Sequence, residues 1–321
     1  MLHLKDKFDT ALQQFIIGNQ GNPSELYEPI NYALNLGGKR IRPLMVLISN
    51  EIFGGDIQSA MNAALAIEVF HNFTLLHDDI MDNAPLRRGK ATVHEKWNSN
   101  IAILSGDTMF VQSYQLMASV QTNRLNELLS LFSKTAIEVC EGQQLDMNFE
   151  KQSLVQIHDY INMISLKTAV LLAAALESGA IVANASTTDA QLIYDYGKNI
   201  GIAFQLQDDI LDVYAEQKDF GKQVAGDIVS NKKTILMLKA FELANESQSQ
   251  HLMKMRDESN AEVKIAEVMK VYDELNVRYH AEELMNTYFL QAENILDKTS
   301  LDDAAKSKLR SFANILKHRV N

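Results

Sequence analysis

The chain has 321 residues, 46% of them hydrophobic, and a net charge of −11, which permits one large domain or two ordinary ones. Its acidic balance excludes unaided nucleic-acid binding, because no basic field offsets the phosphates. The single cysteine, Cys140, excludes an internal disulfide and fits a reducing cytoplasm.

Along the chain, the basic stretch LGGKRIRP comes first. Pro43 closes it and suits the first turn of a helix. From Asp56 to Ala84 no Gly or Pro occurs and apolar residues recur at spacings of three and four, which predicts a long helix ended by Pro85. Helical stretches follow near 101–120, 124–149 and 154–183. Another starts at the cap-rich Ser186-Thr187-Thr188-Asp189 and runs to about Tyr214. Gly197 and Gly201 lie on one face of it, where they would let another helix approach closely. Several more helices are expected after Lys233, including an acidic, amphipathic tail. None of the 4 prolines follows Pro85, which suits helices and poorly suits a β sandwich. The N-terminus MLHLKDKFDT mixes both charges and lacks a signal core. The longest apolar run, Ala169 to Leu176, falls far short of the roughly 20 residues that span a bilayer. The reading is a soluble, intracellular protein without a transmembrane segment, all-α, with residues 1–321 as one domain.

The chain echoes itself once, in HDDIMD at 77–82 and QDDILD at 207–212. Asp78 and Asp82 are i, i+4 on a helix, projecting from one face about 6 Å apart; Asp208 and Asp212 repeat the spacing. A solvated acidic face is the ordinary explanation for one such cluster. Two clusters, each set in an apolar frame (FTLLHDDIM, FQLQDDILDV), count against it. If the clusters face each other, they repel strongly unless hard cations lie between them. The ligands are all oxygen, so Mg²⁺ is favoured over zinc, with water and substrate phosphate completing its octahedron. Glu68 and His71 form a Glu-x-x-His, but no other histidine has a Glu three positions before it, so a di-iron bundle is excluded.

Cations to match a diphosphate are present. Arg87 and Arg88 follow the first cluster; Lys39, Arg40 and Arg42 sit beside two glycines, and arginines give bidentate phosphate contacts. Lys167 lies in the apolar stretch MISLKTAVLLAAAL and either snorkels or meets an anion. Lys222 and Lys232-Lys233 come later. His71 is two turns before Asp78, and His77 abuts the cluster. Gln205 is four before Asp209, and Gln143 and Asp146 are i, i+3. Trp97 and Cys140 read as core.

These residues, in this order, resemble the trans-isoprenyl diphosphate synthases (polyprenyl synthetases): GGKRIRP, HNFTLLHDDIMDNAPLRRG, EGQQLD, SLKTA, GIAFQLQDDILDV and FGKQVAGDIVSNKKT. The resemblance implies long, mostly antiparallel helices around a deep central cavity, usually in a homodimer, with the aspartate motifs on opposite walls holding three Mg²⁺ ions when substrate is bound. It implies Asp78, Asp82 and Asp208 as direct metal ligands, with Asp79, Asp209 and Asp212 supporting them or binding through water. Lys39, Arg42, His71 and Arg88 would hold isopentenyl diphosphate. Arg87, Lys167, Thr168, Gln205, Lys222 and Lys232 would serve the allylic diphosphate, whether dimethylallyl, geranyl or farnesyl. The segment after Lys222 is one residue longer than in some members, which leaves Lys232 the least secure of these. The implied reaction is Mg-dependent head-to-tail (1′-4) condensation to an all-trans prenyl diphosphate. A terpene cyclase and a non-catalytic helical partner are the alternatives; the second Asp-rich motif and the basic residues count against the first, and two intact motifs against the second.

Phe73 lies five residues before Asp78, about 7.5 Å along the axis at 1.5 Å per residue, and Thr74 beside it is small. A bulky ring there would act as a floor for the growing chain. The arrangement resembles short-chain members and implies mainly a C20 product, with C15 next.

Overall fold

Helices account for nearly all the regular structure. The computed structural model describes residues 2–214 and 225–317. Among these the structure is α-helical except for turns, one π-helical turn and one two-stranded hairpin, so the all-α expectation holds. Packing divides the chain into two units: Met1–Lys134 with Ala174–Tyr194, and Thr135–Ala173 with Asp195–Asn321.

The first unit contains α1 (Leu2–Gly18), α2 (Ser24–Leu34), α3 (Ile41–Ile52) and α4 (Ile57–Met81). The hairpin follows as β1 (Leu86–Arg87) and β2 (Lys90–Ala91), then α5 (Val93–Lys96) and α6 (Ser99–Ala118). Helix α4 packs against α3 and α6. Ala60, Ala63, Ala64, Ala66, Ile67, Val69 and Phe70 are fully buried, so α4 is a core helix, apolar on every side. Asp56 caps it, accepting from the Gln58 amide at 3.2 Å. Its end differs from expectation. It stops at Met81, four residues before Pro85, because Asn83 turns left-handed (φ 49°) and the Ala84 amide bonds back to the Asp79 carbonyl at 2.9 Å.

The two-residue hairpin turn, Arg88-Gly89, has φ of 53° and 73°, as tight hairpins of right-twisted strands require. No alternation of residue types announced it. Trp97, expected in the core, is only half-buried and lies edge-on to Tyr32 at 5.3 Å.

Three helices run through both units: α7 (Leu125–Glu150), α9 (Val170–Val182) and α10 (Thr187–Tyr214). The second unit adds α8 (Ile157–Ile164), a π-helical turn at Ser165–Ala169, α11 (Gly226–Val229), α12 (Ile235–Leu243), α13 (Glu246–Met255), α14 (Ala261–Glu274), α15 (Val277–Asp297) and α16 (Asp303–Lys317). Ser186 caps α10, its hydroxyl accepting from the Asp189 amide at 3.0 Å and donating to the Asp189 carboxylate at 2.7 Å, as its cap-rich start foretold. Cys140 corrects another expectation. It is exposed, because the buried stripe of α7 runs through Phe132, Ala136 and Val139 and Cys140 lies one step off it. The run Ile157–Val182 is long and apolar enough to cross a bilayer by length and composition, but 78% of its most apolar window is buried within the protein.

Arg40, just ahead of α3, donates to Glu68 of α4 at 2.5 Å and to the Leu34 carbonyl at 3.0 Å. Both side chains of this ion pair are nearly inaccessible, and Asn72 donates to the same Glu68 oxygen at 3.0 Å. Glu68→Ala leaves the buried guanidinium with the more distant Asp9 carboxylate, 3.8 Å from its Nε, and should cost about 3–5 kcal/mol of unfolding free energy. Urea denaturation measures this, and a loss below about 1 kcal/mol would show that the pair does not hold α3 to α4.

Candidate active site

A helix carries partial negative charge at its C-terminus, so acidic side chains there are disfavoured and basic ones favoured. Helix α4 does the reverse. Asp78 and Asp79 occupy its last turn, Asp82 is its C-cap, and no basic residue lies in that turn. Helix α10 carries Asp208, Asp209 and Asp212 in its last described turns, again with no basic residue in the last of them. Each cluster is therefore an unfavourable local arrangement that other groups must offset.

In the first unit the hairpin brings the offset. It swings Arg87 back onto Asp79, with Nε at 2.9 Å and Nη2 at 2.5 Å from one carboxylate oxygen, and 3.9 Å from Asp78. Asp79 is buried; burial raises its pKa and the Arg87 contact opposes that rise. The next residue, Arg88, reaches the loop before α3 and donates to the Gly37 carbonyl. Gly38 sits there at φ 133°, and a Cβ on it would lie 2.8 Å from the Arg88 guanidinium, so the position needs glycine twice over.

Half-buried His71 meets Arg42, from the first turn of α3. Arg42 Nη1 lies 3.1 Å from His71 Nε2, and since a guanidinium can only donate, the ring nitrogen accepts. Burial first, then the charges of Arg42, Arg88, Arg87 and Arg40, hold the imidazole well below its ordinary 6.5. Of the residues expected to hold isopentenyl diphosphate, Arg42, His71 and Arg88 are thus brought together. Arg40, which sequence reading left out of the site, belongs to its electrostatics while being pinned by Glu68.

In the second unit, the π-helical turn Ser165–Ala169 carries Lys167 and Thr168. Two glycines make room for it. A Cβ on Gly142 would lie 2.6 Å from Lys167 Cα, and one on Gly201 would lie 2.6 Å from Ala169 Cα. The close approach expected of the glycine face of α10 is thus realised at Gly201. Thr168 donates to Gln205 at 3.1 Å, and Gln205 donates to Asp209 at 3.2 Å. Lys167 does meet an anion, Asp146 at 2.5 Å. Asp209 is buried and accepts from the Tyr160 hydroxyl and, at 3.1 Å, from the Ile235 amide. Burial nevertheless pushes its pKa up to about 7. Tyr160 was invisible to sequence reasoning, since nothing local links positions 49 apart. Asp212 accepts from the Asp227 amide at 2.9 Å, and Lys232 stands exposed, 4.0 Å from the Asp227 carboxylate. Lys222 lies outside the described residues.

The two middle aspartates, Asp79 and Asp209, are therefore buried and held by protein groups. Asp82 is exposed and Asp78, Asp208 and Asp212 are half-buried. Among the described residues no three carboxylate, imidazole or thiolate groups form a ready metal cage. Mg²⁺ does not require one: it keeps several waters and is bound by one or two carboxylates with substrate phosphate. The all-oxygen pairs Asp78/Asp82 and Asp208/Asp212 fit that ion. Phe73, proposed from sequence as a chain-length floor, is half-buried against Phe110 at 5.2 Å and Phe70 at 5.6 Å. Thr74 donates to the His71 carbonyl at 2.8 Å.

The fold is all-α, and a guanidinium meets the acidic end of α4. Comparison with known proteins gives the family. The polyprenyl synthetase profile matches residues 23–275. The chain is 38% identical over 284 residues to a geranylgeranyl diphosphate synthase of Sulfolobus acidocaldarius, covering 87% of this chain and 86% of that one. It is 37% identical over 262 residues to a geranylfarnesyl diphosphate synthase of Natronomonas pharaonis, covering 76% of each. A crystal structure of a geranylgeranyl pyrophosphate synthase superposes with a TM-score of 0.91 at 42% identity, covering 98% of both chains. The chain belongs to the polyprenyl synthetase family, and with it to the prenyltransferases.

The His71 environment makes a pH prediction. Its pKa is lowered on folding, so the unfolded chain binds a proton near 6.5 that the native state refuses. Its contribution therefore makes stability fall as pH drops below that value, by up to ~1.4 kcal/mol per pH unit. His71→Gln should remove this component, read as a shallower pH dependence of urea midpoints between about pH 7.5 and 5.5. An unchanged slope would mean that His71 is protonated in the native protein.

Proposed function

We propose that this protein condenses isopentenyl diphosphate head-to-tail (1′-4) with an allylic diphosphate, giving an all-trans prenyl diphosphate and releasing diphosphate. The observation that carries this is the gathering of Arg42, Arg87 and Arg88 around a neutral His71. An enzyme that only ionised and cyclised one allylic diphosphate would not need a second anion site of this kind. Lys39, Arg42, His71 and Arg88 bind isopentenyl diphosphate in this reading. Arg87, Lys167, Thr168, Gln205, Lys222 and Lys232 serve the allylic diphosphate.

Asp78 and Asp82, with Asp208, hold Mg²⁺ directly, and Asp212 supports through water. Mg²⁺ bound with the diphosphate supplies the neutralisation of leaving-group charge. Arg87 and Lys167 stabilise the departing diphosphate as the allylic C–O bond ionises. The double bond of isopentenyl diphosphate attacks the carbocation, and the released diphosphate takes the proton. Apolar side chains keep water from the cation. No side-chain nucleophile takes part. Residues 1–321 act as one catalytic domain, in a cytoplasmic homodimer.

Incubation with Mg²⁺, an allylic diphosphate and labelled isopentenyl diphosphate tests the reading. Elongated linear product supports it; cyclised hydrocarbon or no turnover overturns it. Asp78→Ala and Asp208→Ala should each lower turnover by roughly a hundredfold or more with folding kept, and near-wild-type rates in either would sink the metal assignment.

The proposed main product is C20. The sequence placed C15 next, whereas the geranylfarnesyl name of the Natronomonas relative favours C25 as the neighbouring length. Phe73 is the proposed floor, and Phe73→Ala should shift product toward longer chains while the primer still ionises. A folded variant that stops at the wild-type length would show that Phe73 is core packing alone.

A further inference from the structure

The second unit carries a cavity of about 250 Å³ lined by none of the residues assigned to catalysis. One part of its wall is apolar, from Leu154, Val155, Met237 and Phe241. The other part bears Lys233 and Arg256. Among the described residues the Arg256 guanidinium hydrogen-bonds uncharged groups, the Ser153 carbonyl at 3.3 Å and the Met253 sulfur at 3.9 Å. Lys233 is held below its ordinary pKa by burial and then by Arg256, with Glu150 opposing. The carboxylate that lines the cavity, Glu242, is occupied by Lys239 at 2.5 Å. Gln156 and Ile157, the N-cap and first residue of α8, complete the wall, and no side chain caps that helix. Positive charge thus exceeds negative charge around a recess whose remaining wall mixes apolar side chains with Ser153, Gln156 and His158.

We propose that this cavity is a second, non-catalytic anion site that takes a phosphate-headed molecule with a short apolar chain. Two adjacent cations match a doubly charged headgroup, and the Leu154–Phe241 wall takes the tail. The volume lies below the usual range for drug-sized ligands, so the occupant is small, not a full-length prenyl product. The site is tied to the segment before α12. The Arg256 carbonyl accepts from Asn231 at 3.1 Å and from the buried Lys264 at 3.3 Å, and Lys264 also donates to the Val229 carbonyl at 3.1 Å. Lys232 lies on that same segment, next to Lys233. An anion on Lys233 and Arg256 would therefore bear on the position of a proposed diphosphate ligand.

The test is calorimetric titration with hexyl phosphate in metal-free buffer, using full-length Arg42→Gln protein so that the proposed isopentenyl site is weakened. Saturable binding is expected, at least tenfold weaker on adding Lys233→Gln or Arg256→Gln, and within about threefold on adding Arg256→Lys. Inorganic phosphate should bind at least tenfold more weakly than hexyl phosphate, because it has no tail to bury. Thermal melts establish that each variant is folded. Unchanged affinity in both glutamine variants overturns the proposal, as does binding seen only when Arg42 is restored. Equal affinity for inorganic phosphate overturns the assignment of the tail. Absence of prenyl transfer in the wild-type protein, with hexyl phosphate binding intact, would count against the proposed function and leave this site standing.

Discussion

Carboxylates crowded at the wrong end of a helix are the constraint on which the rest depends. At the C-terminus of α4 the helix dipole and the clustered aspartates act in the same unfavourable direction, and α10 repeats the cluster. A protein tolerates this only by supplying counter-charge or by keeping the place for a ligand that supplies it. Both solutions are visible. The middle aspartate of each cluster is buried and satisfied internally, Asp79 by Arg87 and Asp209 by Tyr160, Gln205 and the Ile235 amide. The flanking aspartates keep solvent access, where a hydrated divalent ion can reach them.

The internal offsets depend on backbone devices of little bulk. A hairpin of two residues per strand, turned by Arg88-Gly89, returns Arg87 to a carboxylate eight residues earlier. Gly38 leaves room for the Arg88 guanidinium, and Gly142 and Gly201 leave room for the π-helical turn carrying Lys167 and Thr168. A widened turn changes the direction of the side chains that follow it, and such turns concentrate at functional sites.

Electrostatic economy explains how so acidic a chain can handle anions. Its net charge of −11 sets an unfavourable general field, so the cations are local and mutually close. Arginine suits this because its charge survives burial and crowding. Histidine does not, and His71 among four guanidiniums stays neutral, presenting a polar surface without adding repulsion. Close cations occur again at Lys233 and Arg256, which is why that recess invites a ligand as well.

The sequence by itself determined the helical class, the long helices between residues 56 and 214, and the two aspartate ladders with their i, i+4 geometry. It also placed Gln205 beside Asp209 and an anion at Lys167, because these follow from short-range periodicity, apolar flanks and capping residues. It misjudged what depends on which face a residue turns to. Cys140 is exposed although cysteine is usually core, and the end of α4 is set by Asn83 and not by Pro85. Only the tertiary structure decided that Arg40 belongs to Glu68, that Tyr160 holds Asp209 and that Arg42 meets His71. Those contacts join residues tens of positions apart, where no local propensity acts and the chain's packing alone selects the partner.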